Sequence, residues 1–282
     1  MKPKIIKFSK YFLPFVLLVN TIFVVKAIST ETNLEKPKNR PTVALVLSGG
    51  IVRGLAHIGV LKYFEDKKIP IDYVAGTSMG SLIGGMYSLG YSADEIECIV
   101  DSVDMLNVLS IEHTYEDMHL RRKQDLRHYG LKTMLGFKGG LSYSTGLLQP
   151  HRVGLLIDRI TFPYTNLSNF DQLPVPFRSV AVDMEKGTEV ILKDGSLASA
   201  LRSSMALPAL FSLEEHKGKT LGDGGLLNNL PTDIAKKEFN PDIIIAVDVT
   251  PPLLPRNELK SPISVANQSV TIFVLESVKQ KL

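Results

Sequence analysis

The chain has 282 residues, of which 44% are hydrophobic and 22% are charged, and this balance excludes a disordered or fibrous protein. The net charge of +3 arises at the start of the chain, where five lysines are the only charged residues among the first 27. Without them the other 27 basic residues face 29 acidic ones, and this near-neutral body argues against a nucleic-acid-binding protein.

The first 27 residues have the pattern of a secretory signal peptide. A start rich in lysine is followed by an apolar run at 11–25, and Val25-Lys26-Ala27 has the small-residue spacing of a cleavage site. The run is shorter than the roughly 20 residues that cross a membrane. We expect export with cleavage after Ala27, or an uncleaved signal anchor as the alternative, and we expect the polar residues 28–41 to form a linker.

From residue 42 onward, segments typical of strands and helices alternate. The apolar run 42–47 predicts a strand that is buried on both faces. The other predicted strands lie at 72–75, 177–182, 188–192, 219–221 and 242–249. The predicted helices lie at about 53–66, 80–89, 92–103, 147–160, 196–205 and 231–237. Alternating helices and apolar strands indicate an α/β fold with a largely parallel central sheet.

Two segments after the second predicted helix have features of their own. Ser92, followed three residues later by Glu95, is a capping box and predicts a helix start. The only cysteine, Cys98, is expected to be a buried residue of that helix. The segment 104–147 has no regular pattern, so we expect it to form a lid or a binding loop.

The segment Gly76-Thr77-Ser78-Met79-Gly80 matches the nucleophile elbow Gly-x-Ser-x-Gly. A strand that turns at once into a helix holds the serine in a strained conformation, and glycines two residues away on either side prevent clashes. The serine hydroxyl then lies at a helix N-terminus, which favours a developing anion. An ordinary tight turn remains the alternative for this motif.

The glycine-rich segment Ser48–Gly54 joins the first predicted strand to the first predicted helix. Backbone N–H groups at such a turn are suited to stabilise the oxyanion of an acyl-transfer reaction. The Gly-Gly-x-x-x-Gly spacing departs from the dinucleotide-binding pattern, and the acidic residue expected after the next strand is missing. A purely structural turn is the other interpretation.

A serine nucleophile needs a proton acceptor, and the sequence leaves two candidates. All six histidines precede Asp223, so a Ser-Asp-His order requires Ser78, Asp183 and His216. His216 lies in a polar hairpin turn, where we expect a solvated position. Asp223 follows an apolar strand and has glycines around it, which expose its carboxylate and let backbone pack closely. We expect His57 to pack in the interior.

Three segments, in this order, resemble the motifs of the patatin-like phospholipase family. Leu47–Leu61 is similar to the family's oxyanion block, Gly76–Gly80 to its nucleophile elbow, and Asp223–Pro231 to its aspartate block. The resemblance covers roughly residues 42–250. It implies a three-layer α/β/α fold and a serine acyl hydrolase of the phospholipase A, lysophospholipase or lipid esterase type, acting through an acyl-enzyme at a membrane surface.

The resemblance also implies a catalytic dyad of Ser78 and Asp223, with no histidine, metal or cofactor. The implied oxyanion donors are the backbone N–H groups of Gly49, Gly50, Ile51 and Met79. The supporting motif residues are Arg53, Gly54, Gly76, Gly80, Gly224 and Gly225. We expect Arg53 to form a structural ion pair, with contact to a lipid phosphate as the alternative.

Ile51 departs from the family pattern, which usually has a third consecutive glycine at this place. A β-branched side chain disfavours a positive φ and narrows the loop. The oxyanion geometry, and with it the activity, therefore depends on how Ile51 is accommodated. The alternative function is a catalytically weak or inactive lipid-binding passenger domain.

Two further stretches, 121–125 and 250–255, are similar to a bacterial subgroup in which a secreted patatin domain is joined to an outer-membrane β-barrel. The similarity implies a secreted, periplasmic or outer-membrane-associated protein in a bacterium. It also implies a hydrolase domain at 42–250 and a C-terminal extension at 251–282, truncated before further domains.

Overall fold

A seven-stranded sheet lies at the centre of the residues that the computed structural model describes, which are 40–103, 135–137, 141–143, 151–208, 211–260 and 262–281. The strands are β1 (Val43–Leu47), β2 (Tyr73–Thr77), β3 (Leu135–Phe137), β4 (Leu141–Tyr143), β5 (Phe177–Asp183), β6 (Thr188–Leu192), β7 (Glu214–His216), β8 (Lys219–Asp223) and β9 (Ile243–Val247). Of these, β3 and β4 form a separate antiparallel pair.

The central strands of the sheet are parallel. Hydrogen bonds join the strands in the order β7-β8-β5-β2-β1-β9, and β6 pairs with β5 as well. The pairs β5-β2, β2-β1 and β1-β9 are parallel, whereas β6, β8 and β7 add antiparallel pairs at one side. The predicted fold class, with a largely parallel central sheet, is confirmed.

Helices cover both faces of this sheet. They are α1 (Ala56–Asp66), α2 (Met79–Ser88), α3 (Ala93–Ser102), α4 (His151–Thr161), α5 (Leu197–Ser204), α6 (Thr232–Phe239) and α7 (Pro262–Lys279). All five residues of β1 are buried, and they alternate between two apolar clusters. Val43, Leu45 and Leu47 pack with the cluster that includes α1 to α5, while Ala44 and Val46 pack with α6 and α7. Because successive strand residues face opposite ways, this alternation produces three layers.

Local signals placed most of these elements correctly. Ser92 forms the predicted capping box, because its hydroxyl accepts a hydrogen bond from Glu95 N and its own N–H donates to the Glu95 carboxylate. The prediction that Cys98 is buried is wrong: its side chain is exposed. The buried face of α3 consists of Ala93, Ile96 and Val100, which follow helical spacing, and Cys98 lies outside that stripe.

Several predictions concern residues outside the described ranges, namely the signal peptide and linker at 1–39, most of 104–147, and the stretch 121–125. Contacts divide the chain into Met1–Arg40 and Pro41–Leu282, and of the first unit only Arg40 is described. Among the helices that the structure describes, none has the length and apolar character needed to span a membrane.

Candidate active site

Two strands meet end to end along one edge of β5. The first half of β5 pairs with β2, up to Thr77 opposite Val180. The second half pairs with the antiparallel β8, beginning with Asp223 opposite Ala181. Since β6 pairs with Ser179–Asp183, it takes the other edge, and β2 and β8 must share the first one. Their C-terminal ends therefore point at each other, and this brings Ser78 next to Asp223.

Ser78 has the strained backbone that the elbow motif predicts, with φ 54° and ψ −122°. It immediately precedes α2, so its side chain lies at the N-terminus of that helix. A Cβ at Gly76 would lie 2.5 Å from the carbonyl oxygen of Gly80, and a Cβ at Gly80 would collide with Leu47 O. Both glycines are therefore required for the tight strand-to-helix turn.

The Ser78 hydroxyl donates a hydrogen bond of 2.6 Å to Oδ2 of Asp223. Asp223 is only 4% exposed, and its Oδ1 accepts a 2.7 Å hydrogen bond from Gly225 N. Burial raises the pKa of Asp223 to about 6, against the opposing effect of the hydrogen bonds from Ser78 and Gly225. A carboxylate with this pKa is a stronger base than a solvated one and is still ionised at neutral pH.

The backbone of both residues is fixed from the same segment at the end of α5. Ser78 N donates a 2.9 Å hydrogen bond to the hydroxyl of Ser204, and Asp223 N donates a 2.9 Å hydrogen bond to Ala206 O. Ser204 is fully buried and Ala206 nearly so. The segment 204–206 therefore holds the two sides of the pair in register.

The loop between β1 and α1 lies directly against Ser78, since a Cβ at Gly49 would be 3.0 Å from Ser78 Cβ. Gly49 N donates to Asn229 O at 3.2 Å, which corrects the expectation that Gly49 is an oxyanion donor: its N–H already has an acceptor. Within the described residues, neither Gly50 N nor Ile51 N donates a hydrogen bond to a backbone carbonyl. Met79 N, at the first position of α2, has no partner within its own helix.

Ile51 adopts φ 49°, the left-handed conformation that its β-branched side chain disfavours. The side chain is 44% exposed and so avoids a clash with the loop interior. At Gly50, by contrast, a Cβ would lie 2.7 Å from Val249 Cγ2. The chain thus keeps glycine where space is lacking and tolerates isoleucine where only the backbone conformation is unfavourable.

The other motif glycines are required by close packing. A Cβ at Gly54 would overlap the side chain of Met79, and a Cβ at Gly224 would overlap Val180 O. At Gly225 it would lie 2.8 Å from Asn229 Oδ1.

The predicted ion pair of Arg53 is not found within the described residues, where its side chain is exposed.

Asn229 joins the loop between β1 and α1 to the turn after Asp223, a role that its motif did not predict. Its side-chain Nδ2 donates to Gly49 O at 3.1 Å and to the hydroxyl of Thr250 at 2.9 Å. Its backbone carbonyl accepts the hydrogen bond from Gly49 N. The side chain is 3% exposed. The signal available in the sequence was a pair of asparagines, Asn228 and Asn229, between leucines next to the aspartate motif.

The alternative triad of Ser78, Asp183 and His216 is not assembled. Asp183 Oδ1 accepts hydrogen bonds from Glu185 N and Lys186 N at 3.1 Å each, so it shapes a turn. The expectation of a solvated His216 is wrong, because β7 places it in the interior at 7% exposure. Its Nδ1 lies 2.9 Å from the Ser199 hydroxyl, and burial lowers its pKa.

His57 packs in the interior, as expected, and is fully buried. Its Nε2 donates a 2.8 Å hydrogen bond to Ser48 O, while burial lowers its pKa. It therefore supports the start of the loop between β1 and α1. Within the described part of the chain, no three His, Cys, Asp or Glu side chains are grouped as they are around a metal ion.

Comparisons with known proteins show which proteins this chain resembles. A family model described as patatin-like phospholipase matches residues 45–236. Patatin-like phospholipase domain-containing protein 6 of Mus musculus is 31% identical over 226 residues, which cover 74% of this chain and 13% of that protein. An uncharacterized NTE family protein of Mycobacterium tuberculosis is 30% identical over 210 residues, with 74% of this chain and 49% of that protein covered.

The chain thus spans about an eighth of the first of these relatives and about half of the second. Among solved structures, VipD from Legionella pneumophila is similar with a TM-score of 0.42 and 15% identity, over 68% of this chain and 47% of that one.

Proposed function

We propose that this chain, which belongs to the patatin-like phospholipase family, hydrolyses carboxylic ester bonds of lipids with Ser78 as nucleophile and Asp223 as base. The observation that carries the proposal is the 2.6 Å hydrogen bond from the Ser78 hydroxyl to a buried carboxylate whose pKa is about 6. Phospholipids, lysophospholipids and neutral lipid esters all present the ester that this pair would attack.

In the acylation step, Asp223 Oδ2 takes the Ser78 proton while Oγ forms a bond to the ester carbonyl carbon. The carbonyl oxygen becomes negative, and in this proposal the N–H groups of Gly50, Ile51 and Met79 stabilise it. The tetrahedral intermediate then expels the alcohol, which leaves with the proton that Asp223 held. The product that remains is an ester between the acyl chain and Ser78.

In the deacylation step, a water molecule replaces the alcohol. Asp223 takes its proton, the oxygen attacks the acyl carbon, and the same N–H groups stabilise the second oxyanion. Collapse releases the fatty acid and returns the proton to Ser78 Oγ. One carboxylate thus serves both steps, because its pKa of about 6 lets it accept and return a proton near neutral pH.

Hydrolysis of a p-nitrophenyl ester and of a phospholipid by the full chain tests this proposal. We expect turnover by the unaltered chain and a fall to background for Ser78→Ala and Asp223→Asn. Asp183→Asn and His216→Gln are the matched controls, since they remove the carboxylate and the histidine of the alternative triad. A loss in either control as large as that in Ser78→Ala would contradict the dyad.

Ile51 supports a second candidate, a lipid-binding domain with little turnover. Its φ of 49° places a disfavoured residue among the oxyanion donors, so the donors are held at an energetic cost. Binding of phospholipid vesicles without hydrolysis, together with failure of a fluorophosphonate to label Ser78, would favour this candidate. Labelling of Ser78 would favour the hydrolase.

Export to a bacterial envelope or to the exterior, with action at a membrane surface, is part of the same proposal. It is supported by the pattern of residues 1–27, which lie outside the described residues. Fractionation of expressing cells and N-terminal sequencing test it: we expect a non-cytoplasmic protein that begins at Ile28. Cytoplasmic protein with an intact Met1 would contradict export.

A further inference from the structure

Thr77 is a fully buried polar residue at the end of β2, one position before Ser78. Strand side chains alternate between the two faces of a sheet, so Thr77 points to the same side as Ala75, which packs in the apolar cluster with α6 and α7. A hydroxyl buried on this apolar side is unfavourable unless it has a hydrogen-bond partner. The partner of the Thr77 hydroxyl therefore shows what a threonine contributes here.

That partner lies in the segment 224–229, which follows Asp223 and is called the aspartate turn below. The Thr77 hydroxyl donates a 2.8 Å hydrogen bond to the backbone carbonyl of Asn228, which is 151 positions away and fully buried. The bond joins the strand that leads into the nucleophile to the turn that follows the base. Without the hydroxyl, the buried carbonyl would lose its donor, a cost that the turn can relieve only by moving.

The aspartate turn has hydrogen bonds of its own, and these fix its shape. The N–H groups of Gly225, Leu227 and Asn228 donate to acceptors on Asp223 or Gly224, at 2.7 to 3.1 Å. All of these bonds begin and end between residues 223 and 228, so they do not fix the distance from the turn to the nucleophile. That distance depends on contacts that leave the turn, and the threonine hydroxyl provides one directly from β2.

The aspartate turn also holds the loop between β1 and α1. The backbone carbonyl of Asn229 accepts a hydrogen bond from Gly49 N, and its Nδ2 donates to Gly49 O. The carbonyl of Asn228 and the N–H of Asn229 belong to one planar peptide unit, so a rotation of the first reorients the second. The contact made by Thr77 therefore affects the base and the loop together.

We propose that Thr77 is a positioning residue, which ties the aspartate turn to the end of β2 and thereby sets the distance between the Ser78 hydroxyl and the Asp223 carboxylate. The proposal rests on the proposed function, because it concerns how the groups of that reaction are held. Thr77 is fully buried, so its loss should affect kcat rather than KM. Misplacement of reacting groups by about 1 Å is enough to cost on the order of 100-fold in rate.

Substitutions at position 77 separate the hydroxyl from the shape of the side chain. Thr77→Val keeps the size and the branching and removes the donor, whereas Thr77→Ser keeps the donor and removes a methyl group. Thr77→Ala and Thr77→Ser form a second pair that differs only in the hydroxyl, for use if the valine variant does not fold.

Thr161→Val is the matched control. Thr161 is 3% exposed, and its hydroxyl donates a 2.7 Å hydrogen bond to the backbone carbonyl of Ile157, within α4. The control therefore removes the same kind of buried bond, and we expect a comparable loss of stability. The bond lies within one helix and touches neither the aspartate turn nor the loop between β1 and α1.

The kinetic test measures kcat and KM for a p-nitrophenyl ester. We expect Thr77→Val to lower kcat by about 10- to 100-fold with little change in KM. Thr77→Ser should retain most of the activity, and Thr161→Val should match the unaltered chain. An unchanged kcat in Thr77→Val, or an equal loss in Thr77→Ser, would overturn the proposal.

Hydrogen exchange followed by mass spectrometry separates this proposal from the proposed function, because it requires no turnover. We expect the amides of residues 224–229 to exchange about tenfold or more faster in Thr77→Val than in Thr161→Val, since only the first variant releases the turn. Equal exchange in the two variants would refute the positioning role, whatever their activity. Faster exchange in Thr77→Val, together with an unaltered chain that hydrolyses no ester, would refute the catalytic proposal alone.

Discussion

Thr77 and Asp223, the last residues of β2 and β8, face consecutive residues of β5. Ser78, which follows Thr77, and Asp223 are 145 positions apart in the sequence, yet their hydroxyl and carboxylate oxygens are separated by 2.6 Å. The antiparallel approach of β8 along the edge that β2 leaves free accounts for this proximity. The geometry of the candidate site is thus a consequence of sheet pairing, to which the loops add the N–H donors.

The activity is expected to depend on pH through Asp223. The base must be ionised to accept the Ser78 proton, and burial raises its pKa to about 6. We expect kcat/KM for a p-nitrophenyl ester to fall about tenfold per unit of pH below about 6 and to level off above it. A profile that is flat between about pH 5 and 8 would contradict Asp223 as the base.

Asp223→Asn is expected to stabilise the fold at neutral pH while abolishing turnover. The folded pKa of about 6 lies above the ordinary value of 3.8, so the ionised carboxylate lowers stability as pH rises from the lower to the higher of these values. The penalty at neutral pH is on the order of 2–3 kcal/mol.

Chemical denaturation of both proteins at about pH 4 and pH 8 measures this penalty. The free energy of unfolding of Asp223→Asn should exceed that of the unaltered chain at the higher pH, and the difference should shrink at the lower one. The opposite order at high pH would show that the carboxylate is stabilised by its surroundings.

Ile51→Gly is expected to raise turnover several-fold, because glycine adopts the φ of 49° without a steric penalty. The left-handed conformation costs an ordinary residue roughly 1–2 kcal/mol, and relief of this cost lets the loop N–H groups settle around the oxyanion. Lys68→Gly is the matched control, since Lys68 has a φ of 53° after α1. It should change stability by a similar amount and leave turnover unaltered. Equal turnover in all three proteins would show that Ile51 does not limit the reaction.

Asn229→Ala is expected to lower kcat by about 100-fold with little change in KM, because Gly49 O and the Thr250 hydroxyl lose the side-chain hydrogen bonds that hold the loop between β1 and α1 in place. Asn229 is a positioning residue, so the pH midpoint set by Asp223 should stay the same. Asn228→Ala is the control: that neighbouring side chain donates to Glu189 and Asp233, away from the loop. It should lower stability without a comparable loss of kcat. Equal losses of kcat in the two variants would refute a positioning role.

Local patterns in the sequence were sufficient for most of the elements and for the conformation of Ser78, but they did not predict β3, β4 or β7. The run at 42–47 is apolar because both faces of β1 are covered, and the glycines at 76 and 80 are required by the turn itself. Long-range contacts could not be obtained in this way. His216 is buried because β7 packs it against Ser199. The N–H of Gly49 donates a hydrogen bond to the backbone carbonyl of Asn229, which lies 180 positions away in the sequence.

Covalent labelling by a fluorophosphonate tests most directly whether Ser78 is a nucleophile with Asp223 as its base. Tandem mass spectrometry locates the adduct and measures how fast it forms. We expect a single adduct on Ser78 and, in Asp223→Asn, labelling that is slower by about 100-fold or more, because the base that activates the hydroxyl is gone. An adduct on another serine, or equal labelling rates in the two proteins, would contradict the pairing of Ser78 with Asp223 as a nucleophile and its base.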